Sequence, residues 1–183
     1  MKGLKTILTD RCKIRKLQPN DADFLYQNIY SQKSLFEFAN FDNHATEKAT
    51  EIFVEQARHN YLKDNLDGCF VVEDKISKQI IGIVTFFEVK IYSGGQIFLD
   101  IILTQSFQNQ GYGTHLIKVI TKWLLSNRGV KKINLYFNTA NKKMEKVALK
   151  SGFKKEGILN QPNFLNTNIV QKYFLYSVTY KIV

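Results

Sequence analysis

The sequence predicts a single mixed α/β domain spanning residues 1–183, with a central sheet of about seven strands flanked by about four helices. Three observations predict it. The chain has 183 residues, 44% of them apolar, enough to bury one substantial core. Its strand-like and helix-like segments alternate in the order βααββ, then βαβα, then ββ, with no internal repeat, low-complexity tract or linker. In the middle, the apolar run Ile97–Leu103 breaks at a glycine turn, passes into an amphipathic helix and returns as Ile133–Phe137, the pattern of a right-handed crossover between parallel strands.

Taken in order, Thr9 to Leu17 reads as a strand, and Pro19-Asn20-Asp21 supplies turn and cap chemistry for a helix carrying Phe24, Leu25 and Ile29. An aromatic loop, Leu35 to Phe41, follows. Thr46 caps a second helix whose apolar positions Ala49, Ile52, Phe53, Ala57 and Tyr61 recur at three and four residues. Cys69–Glu73 and Gln79–Lys90 read as a hairpin joined by the polar turn Asp74–Lys78. After Ser93-Gly94-Gly95 come the central strand and a helix with Leu116, Ile117, Ile120, Trp123 and Leu124 on one side, stopped by Gly129. Asn141 caps a further helix bearing Met144, Val147 and Ala148, which ends at Gly152 with Phe153 placed for the accompanying apolar contact. Ile158-Leu159, a polar loop and a long strand from Val170 to Val183 complete the order.

Composition narrows the function classes. No apolar run reaches the roughly 18–20 residues that span a bilayer, and Met1-Lys2-Gly3-Leu4-Lys5 lacks a secretory h-region, so the expected location is cytoplasmic and no membrane partner is expected. Cys12 and Cys69 lie in strand-like segments as small core hydrophobes, with no disulfide framework. His44, His59 and His115 lack ligand spacing, so no metal site is expected. The formal charge of +10 suits nucleic acid, an acidic protein or a phosphorylated cofactor. The 26 basic residues are nonetheless spread in runs no longer than a pair. With no aromatic–basic stripe, they argue against a nucleic-acid-binding domain. Lys131-Lys132 and Lys142-Lys143 fall downstream of the glycine turn and leave open a local role in attracting phosphate.

That turn, Gln108-Asn109-Gln110-Gly111-Tyr112-Gly113, carries the chemistry. Glycines remove Cβ atoms where backbone must bend and a ligand must approach N–H groups. The helix that follows aims its first amides and its positive dipole end at the same spot, which suits a diphosphate. A P-loop is not expected, because no Lys-Ser/Thr follows the second glycine, and the triple-glycine dinucleotide fingerprint is missing. Taken alone, a Gly-x-Gly between strand and helix is equally the mark of a tight turn.

Together these segments resemble the GNAT superfamily of acyl-CoA N-acyltransferases, and within it the Rim-type ribosomal-protein N-terminal acetyltransferases. The superfamily loop Gln/Arg-x-x-Gly-x-Gly/Ala is matched by Gln108 to Gly113. The Rim-type helix-start Asn eleven residues before Gly-Phe is matched by Asn141 and Gly152-Phe153, and the following Glu-Gly-x-Leu by Glu156-Gly157-Ile158-Leu159. The family's early aromatic loop is similar to Leu35–Phe41, so Phe36, Phe38 and Phe41 are the implied lining of the acceptor pocket. The resemblance implies an acetyl-CoA-dependent N-acetyltransferase acting on a primary amine: a protein or peptide N-terminus, or a small molecule. It also implies a splayed sheet, with the pantetheine arm between Ile97–Leu103 and Ile133–Phe137, pairing with backbone near Leu103 and Thr104. The diphosphate would sit on the amides of Gln108, Asn109, Gln110, Gly111, Tyr112, Gly113 and Thr114, and Asn141 would touch the arm near its sulfur. As a helix N-cap Asn141 has a second explanation, and both stay open. A homodimer is a further implication.

The catalytic groups do not carry over. Where the family places a carboxylate after Glu-Gly-x-Leu, a thiolate-partner Ser and a late Asp, this chain has Asn163, Met144 and Gln171. Asn and Met cannot titrate near neutrality, so the catalytic residues are unknown. Asp100 is the nearest alternative base, but on a regular strand it faces away from the side that Ile97 and Leu99 share, and only a bulge turns it inward. Glu88 and Tyr173 are the other candidates. A non-catalytic acyl-CoA-binding protein of the same fold is the alternative reading.

Overall fold

The first strand-like segment breaks where the alternation alone predicts continuity. The computed structural model describes residues 6–39, 41–61, 67–91, 94–127, 130–162 and 170–179. Within it a two-residue strand β1, Ile7–Leu8, precedes β2, Cys12–Lys16, instead of one strand from Thr9. The cause is local: Thr9 Oγ1 accepts from the N–H groups of Cys12 at 2.7 Å and Arg11 at 3.1 Å, a side-chain turn that competes with extended backbone. β1 then folds back antiparallel on β2 and brings the strand number to eight.

The remaining elements are α1 (Ala22–Leu25), α2 (Glu47–Asn60), β3 (Gly68–Asp74), β4 (Ile80–Ile91), β5 (Gly94–Leu103), α3 (Tyr112–Asn127), β6 (Val130–Asn138), α4 (Lys142–Lys150), β7 (Lys154–Pro162) and β8 (Val170–Thr179). The strand order is β1-β2-β3-β4-β5-β6-β8-β7, a mixed α/β architecture. Gly129, the expected stop of α3, and Asn163 lie outside the described residues.

By packing, the chain divides into two compact units. The first comprises Met1–Glu37, Asn43–Phe87 and Ile101–Gln108. In it the β3–β4 hairpin turns as predicted, with Asp74 Oδ2 accepting from the N–H groups of Ile76 at 3.1 Å and Ser77 at 2.7 Å. Helix α1 continues into one π-helical stretch, Tyr26–Tyr30, closed by Ser31 N–H on Tyr26 O at 2.9 Å. Thr46 caps α2 as expected, its Oγ1 accepting from Ala49 N–H at 3.2 Å. The buried face of α2 is Thr50, Val54 and Ala57, so Ile52, read as a core position, points outward at 49% exposure. The period was right and the phase was off by a fraction of a turn, because Thr50 turns inward to meet His44 Nδ1 at 2.9 Å. One buried polar network stands out: Arg15 grips Asp21 through both terminal nitrogens, at 2.7 and 2.8 Å, and reaches Glu73 with Nε at 2.5 Å.

The second unit comprises Phe38–Asp42, Glu88–Asp100 and Asn109–Val183. Leu116, Ile117, Ile120 and Leu124 of α3 are fully buried, as are Ile97, Ile133 and Leu135 from the strands. The predicted parallel crossover is present: β5 pairs with β6 from Gly95↔Val130 to Phe98↔Asn134. At the end of α4, Gly152 adopts φ +86° while Phe153 N–H returns to Ala148 O at 3.1 Å and its ring is buried, the predicted stop. Strand β7 is far longer than Ile158-Leu159. It pairs with β8 from Lys154↔Ser177 to Pro162↔Val170 and is the sheet edge. An edge strand tolerates the Gly, Pro and polar residues that mask its pattern.

Candidate active site

The ladder between β5 and β6 ends at Phe98 and Asn134, although both strands run on, to Leu103 and Asn138. Along β5 the buried positions are Ile97 and Leu99, then Ile102 and, just beyond the strand, Thr104. The burial pattern shifts by one residue across Asp100 and Ile101. Asp100 is half-buried.

At the end of β5, Thr104 is buried, and its N–H and Oγ1 both reach Ile81 O, at 2.9 and 3.3 Å. Because N–H and C=O groups of a strand alternate in direction, those of Leu103 face the other edge. The Leu103 carbonyl accepts from Gln108 Nε2 at 3.1 Å. The first residue of the loop motif thus ties the loop back to the strand. Its backbone N–H is directed to Gln105 O at 3.3 Å, not outward to a ligand as the loop reading expects. Sequence reasoning missed Gly82 on β4: a Cβ there would overlap the Ile102 carbonyl and crowd Leu103 Cα at 3.1 Å. The signal was available, a lone glycine inside the apolar run Ile80–Val84.

Beyond Gln108 the backbone takes the shape of an anion cradle. Asn109 has φ +60° and Gly111 φ +81°, with Gln110 between them at negative φ. Such alternation gathers successive N–H groups onto one concave side. Asn109, Gln110 and Gly111 are exposed, Tyr112 is buried, and Gly113 and Thr114 are half-buried. The first bond of α3 is His115 N–H to Gly111 O at 3.0 Å, so Gly113 and Thr114 lie in the turn whose N–H groups a helix leaves to caps, solvent or ligand. Only Gly111 needs its glycine for conformation; Gly113 is helical.

Asn141 is a helix cap. Its Oδ1 accepts from Met144 N–H at 3.0 Å and its own N–H donates to Asn138 O at 2.9 Å. Asn138 in turn opens a polar cluster across β6 and β8: its Nδ2 and the Tyr173 hydroxyl both donate to Gln171 Oε1 at 3.0 Å, and Tyr173 stacks on Tyr136 at 4.7 Å. Burial raises the pKa of Tyr173 and pushes that of Tyr136 up to about 12. Tyr173 is therefore a neutral phenol at physiological pH, its hydroxyl donating to Gln171. Met144 sits half-buried in the first turn of α4. Of the aromatic loop, Phe36 is buried against Tyr30 at 5.7 Å, a packing role, while Phe38 and Phe41 are half-buried.

The acetyltransferase (GNAT) domain model matches residues 11–154. The chain belongs to the GNAT acetyltransferase family. As a GNAT enzyme it is an N-acetyltransferase whose acyl donor is acetyl-CoA. It is 25% identical over 161 residues to the spermidine N(1)-acetyltransferase of Vibrio cholerae, covering 87% of this chain and 88% of that one. In fold it is similar to the ribosomal-protein-S5-alanine acetyltransferase of Vibrio fischeri, at 20% identity, TM-score 0.79 and 96% of each chain. It is also similar to the spermidine N-acetyltransferase of Vibrio cholerae in complex with CoA and spermine, at 22% identity and TM-score 0.77, covering 93% of this chain and 96% of that one. Among the described residues no helix is long and apolar enough to cross a membrane.

Proposed function

We propose that this GNAT chain transfers the acetyl group of acetyl-CoA to an α-amine or another weakly basic primary amine, acting as one domain. The observation that carries this reading is the backbone of Asn109–Gly111 leading into α3, with φ alternating in sign where the family's diphosphate loop falls. Acetyl-CoA supplies an activated thioester. The residues proposed to hold it are Leu103, Thr104, Gln108 to Thr114 and Asn141, and a backbone N–H would meet the carbonyl oxygen as charge develops there. The amine lone pair attacks that carbonyl, the C–S bond breaks, and the amine proton leaves to solvent or thiolate. Phe38 and Phe41 are proposed to border the acceptor. A cytoplasmic homodimer is part of the same reading, with light scattering as its test.

The preference for weakly basic amines follows from the absence of an assigned base. A peptide α-amine has a reference pKa of about 7.7–8.0 against about 10.4 for lysine, so deprotonating lysine at a given pH costs roughly 3–4 kcal/mol more. Thiol release from acetyl-CoA is expected to be faster with a peptide bearing a free N-terminus than with an N-blocked peptide bearing one lysine. A faster lysine reaction contradicts the preference. No thiol release with either peptide, despite acetyl-CoA binding, would also contradict it.

Asn141 separates cap from contact. Asn141→Ala removes the cap oxygen and is expected to cost about 1 kcal/mol, lowering Tm by about 2–4 °C. Asn141→Ser keeps a cap oxygen and the Tm. Acetyl-CoA affinity is expected to fall in both variants by calorimetry; unchanged affinity in both would leave Asn141 a cap only.

A further inference from the structure

Lysines that look scattered along the sequence are gathered by the fold of the second unit. Residues 130–162 hold eight lysines against two carboxylates, Glu145 and Glu156, in a chain whose total excess is +10. On α4, Lys142, Lys146 and Lys150 recur every four residues with Lys143 beside them, and at 3.6 residues per turn all four fall within an arc of about 100°. All four are exposed. Lys142 has an ion pair, to Glu145 at 3.1 Å; Lys143, Lys146 and Lys150 have none among the described residues. Strand β7 extends the patch, because Lys155 Nζ lies 4.0 Å and Lys142 Nζ 5.3 Å from the centroid of the same Phe174 ring. Glu145, the one acid of the helix, is drawn to the edge of the stripe by the Tyr176 hydroxyl at 3.2 Å.

The arrangement is electrostatically unfavourable for the chain by itself. Like charges four residues apart repel on a helix, and Lys142 and Lys143 sit at the positive end of the helix dipole. An anionic partner reverses both effects. From Lys142 to Lys150 the stripe is about 12 Å long, more than one small anion covers. It contains lysine without arginine, the residue that matches phosphate bidentately. It has no exposed aromatic for base stacking. Its neighbour is Leu149, 57% exposed, an aliphatic contact suited to a protein side chain.

We propose that the exposed face of α4, with Lys155 of β7, is a docking surface for an acidic polypeptide segment. The probe is fluorescein-labelled poly-L-glutamate, followed by anisotropy at about 50 and 200 mM NaCl. Arms with an RNA duplex and with phosphatidylserine vesicles are run beside it. Lys146→Gln/Lys150→Gln is compared with Lys33→Gln/Lys122→Gln, which removes equal charge from exposed sites elsewhere. The expected result is salt-sensitive binding that the α4 variant weakens about tenfold or more and the control changes less than about twofold, with thiol release toward a small amine unchanged in both. Equal losses in the two variants, no binding by the wild-type chain, or tighter binding of RNA or vesicles than of polyglutamate would overturn the proposal. The readout is binding, so its failure is distinct from failure of acetyl transfer.

Discussion

Gly111→Val is expected to lower acetyl-CoA affinity by about tenfold or more, a loss of about 1.4 kcal/mol, while leaving the fold intact. Gly111 sits at φ +81°, where an L-residue costs roughly 1–2 kcal/mol and a β-branched one more. The loop is exposed at this point, so the chain can escape the strain by straightening locally. Straightening ends the alternation of φ across Asn109, Gln110 and Gly111, and the N–H groups then diverge. Two companions make the result specific. Gly111→Asn, which tolerates the left-handed region, is expected to retain more affinity than valine. Gly113→Ala carries no such strain, since Gly113 is helical, and tests only the room for a methyl group. Calorimetric titration of acetyl-CoA with melting curves reads all three. Unchanged affinity in Gly111→Val would remove the loop from the binding site.

Asp21→Ala carries the largest expected loss of stability. The Asp21 carboxylate is 5% exposed and takes three hydrogen bonds, two from Arg15 and one from Gln18 N–H at 2.7 Å. Removing one partner of a buried ion pair costs about 3–5 kcal/mol; with Glu73 still holding Arg15, the lower end applies, a Tm decrease of about 6–12 °C at this chain length. Asp21→Asn keeps an oxygen for Gln18 N–H and should fall between. The network also sets an acid limit. Burial raises the Glu73 pKa, but Arg15 and Lys13 outweigh it and hold the carboxyl below its ordinary value. Its stabilisation is therefore complete above the unfolded-state pKa of about 4.3 and drains as pH falls through the lower folded value. Melting temperatures from pH 7 downward should show a decline that Glu73→Gln flattens. A Tm for Asp21→Ala equal to wild type would contradict the network's role.

What the sequence made legible was local. The Thr46 and Asn141 caps, the Gly152–Phe153 stop, the hairpin at Asp74 and the buried face of α3 rest on chemistry within a few residues, and each is found as read. The parallel pairing of β5 and β6 followed from handedness. Features set by partners distant in sequence were hidden. The outward turn of Ile52 depends on Thr50 meeting His44, the extent of β7 on its pairing with β8, and the need for Gly82 on the close approach of Ile102. At the site, the motif located the loop, but not the use of the Gln108 side chain on Leu103 O. Nor did it reveal the neutral cluster of Asn138, Gln171 and Tyr173 where relatives suggested an acid.

The central claim, that the loop entering α3 grips the diphosphate of acetyl-CoA, is tested most directly by amide hydrogen exchange with and without saturating acetyl-CoA. Protection is predicted to rise in the peptide spanning Asn109 to His115, with the stretches over α2 and the β1–β2 turn unchanged. Binding that leaves Asn109 to His115 exchanging at its free rate would contradict it.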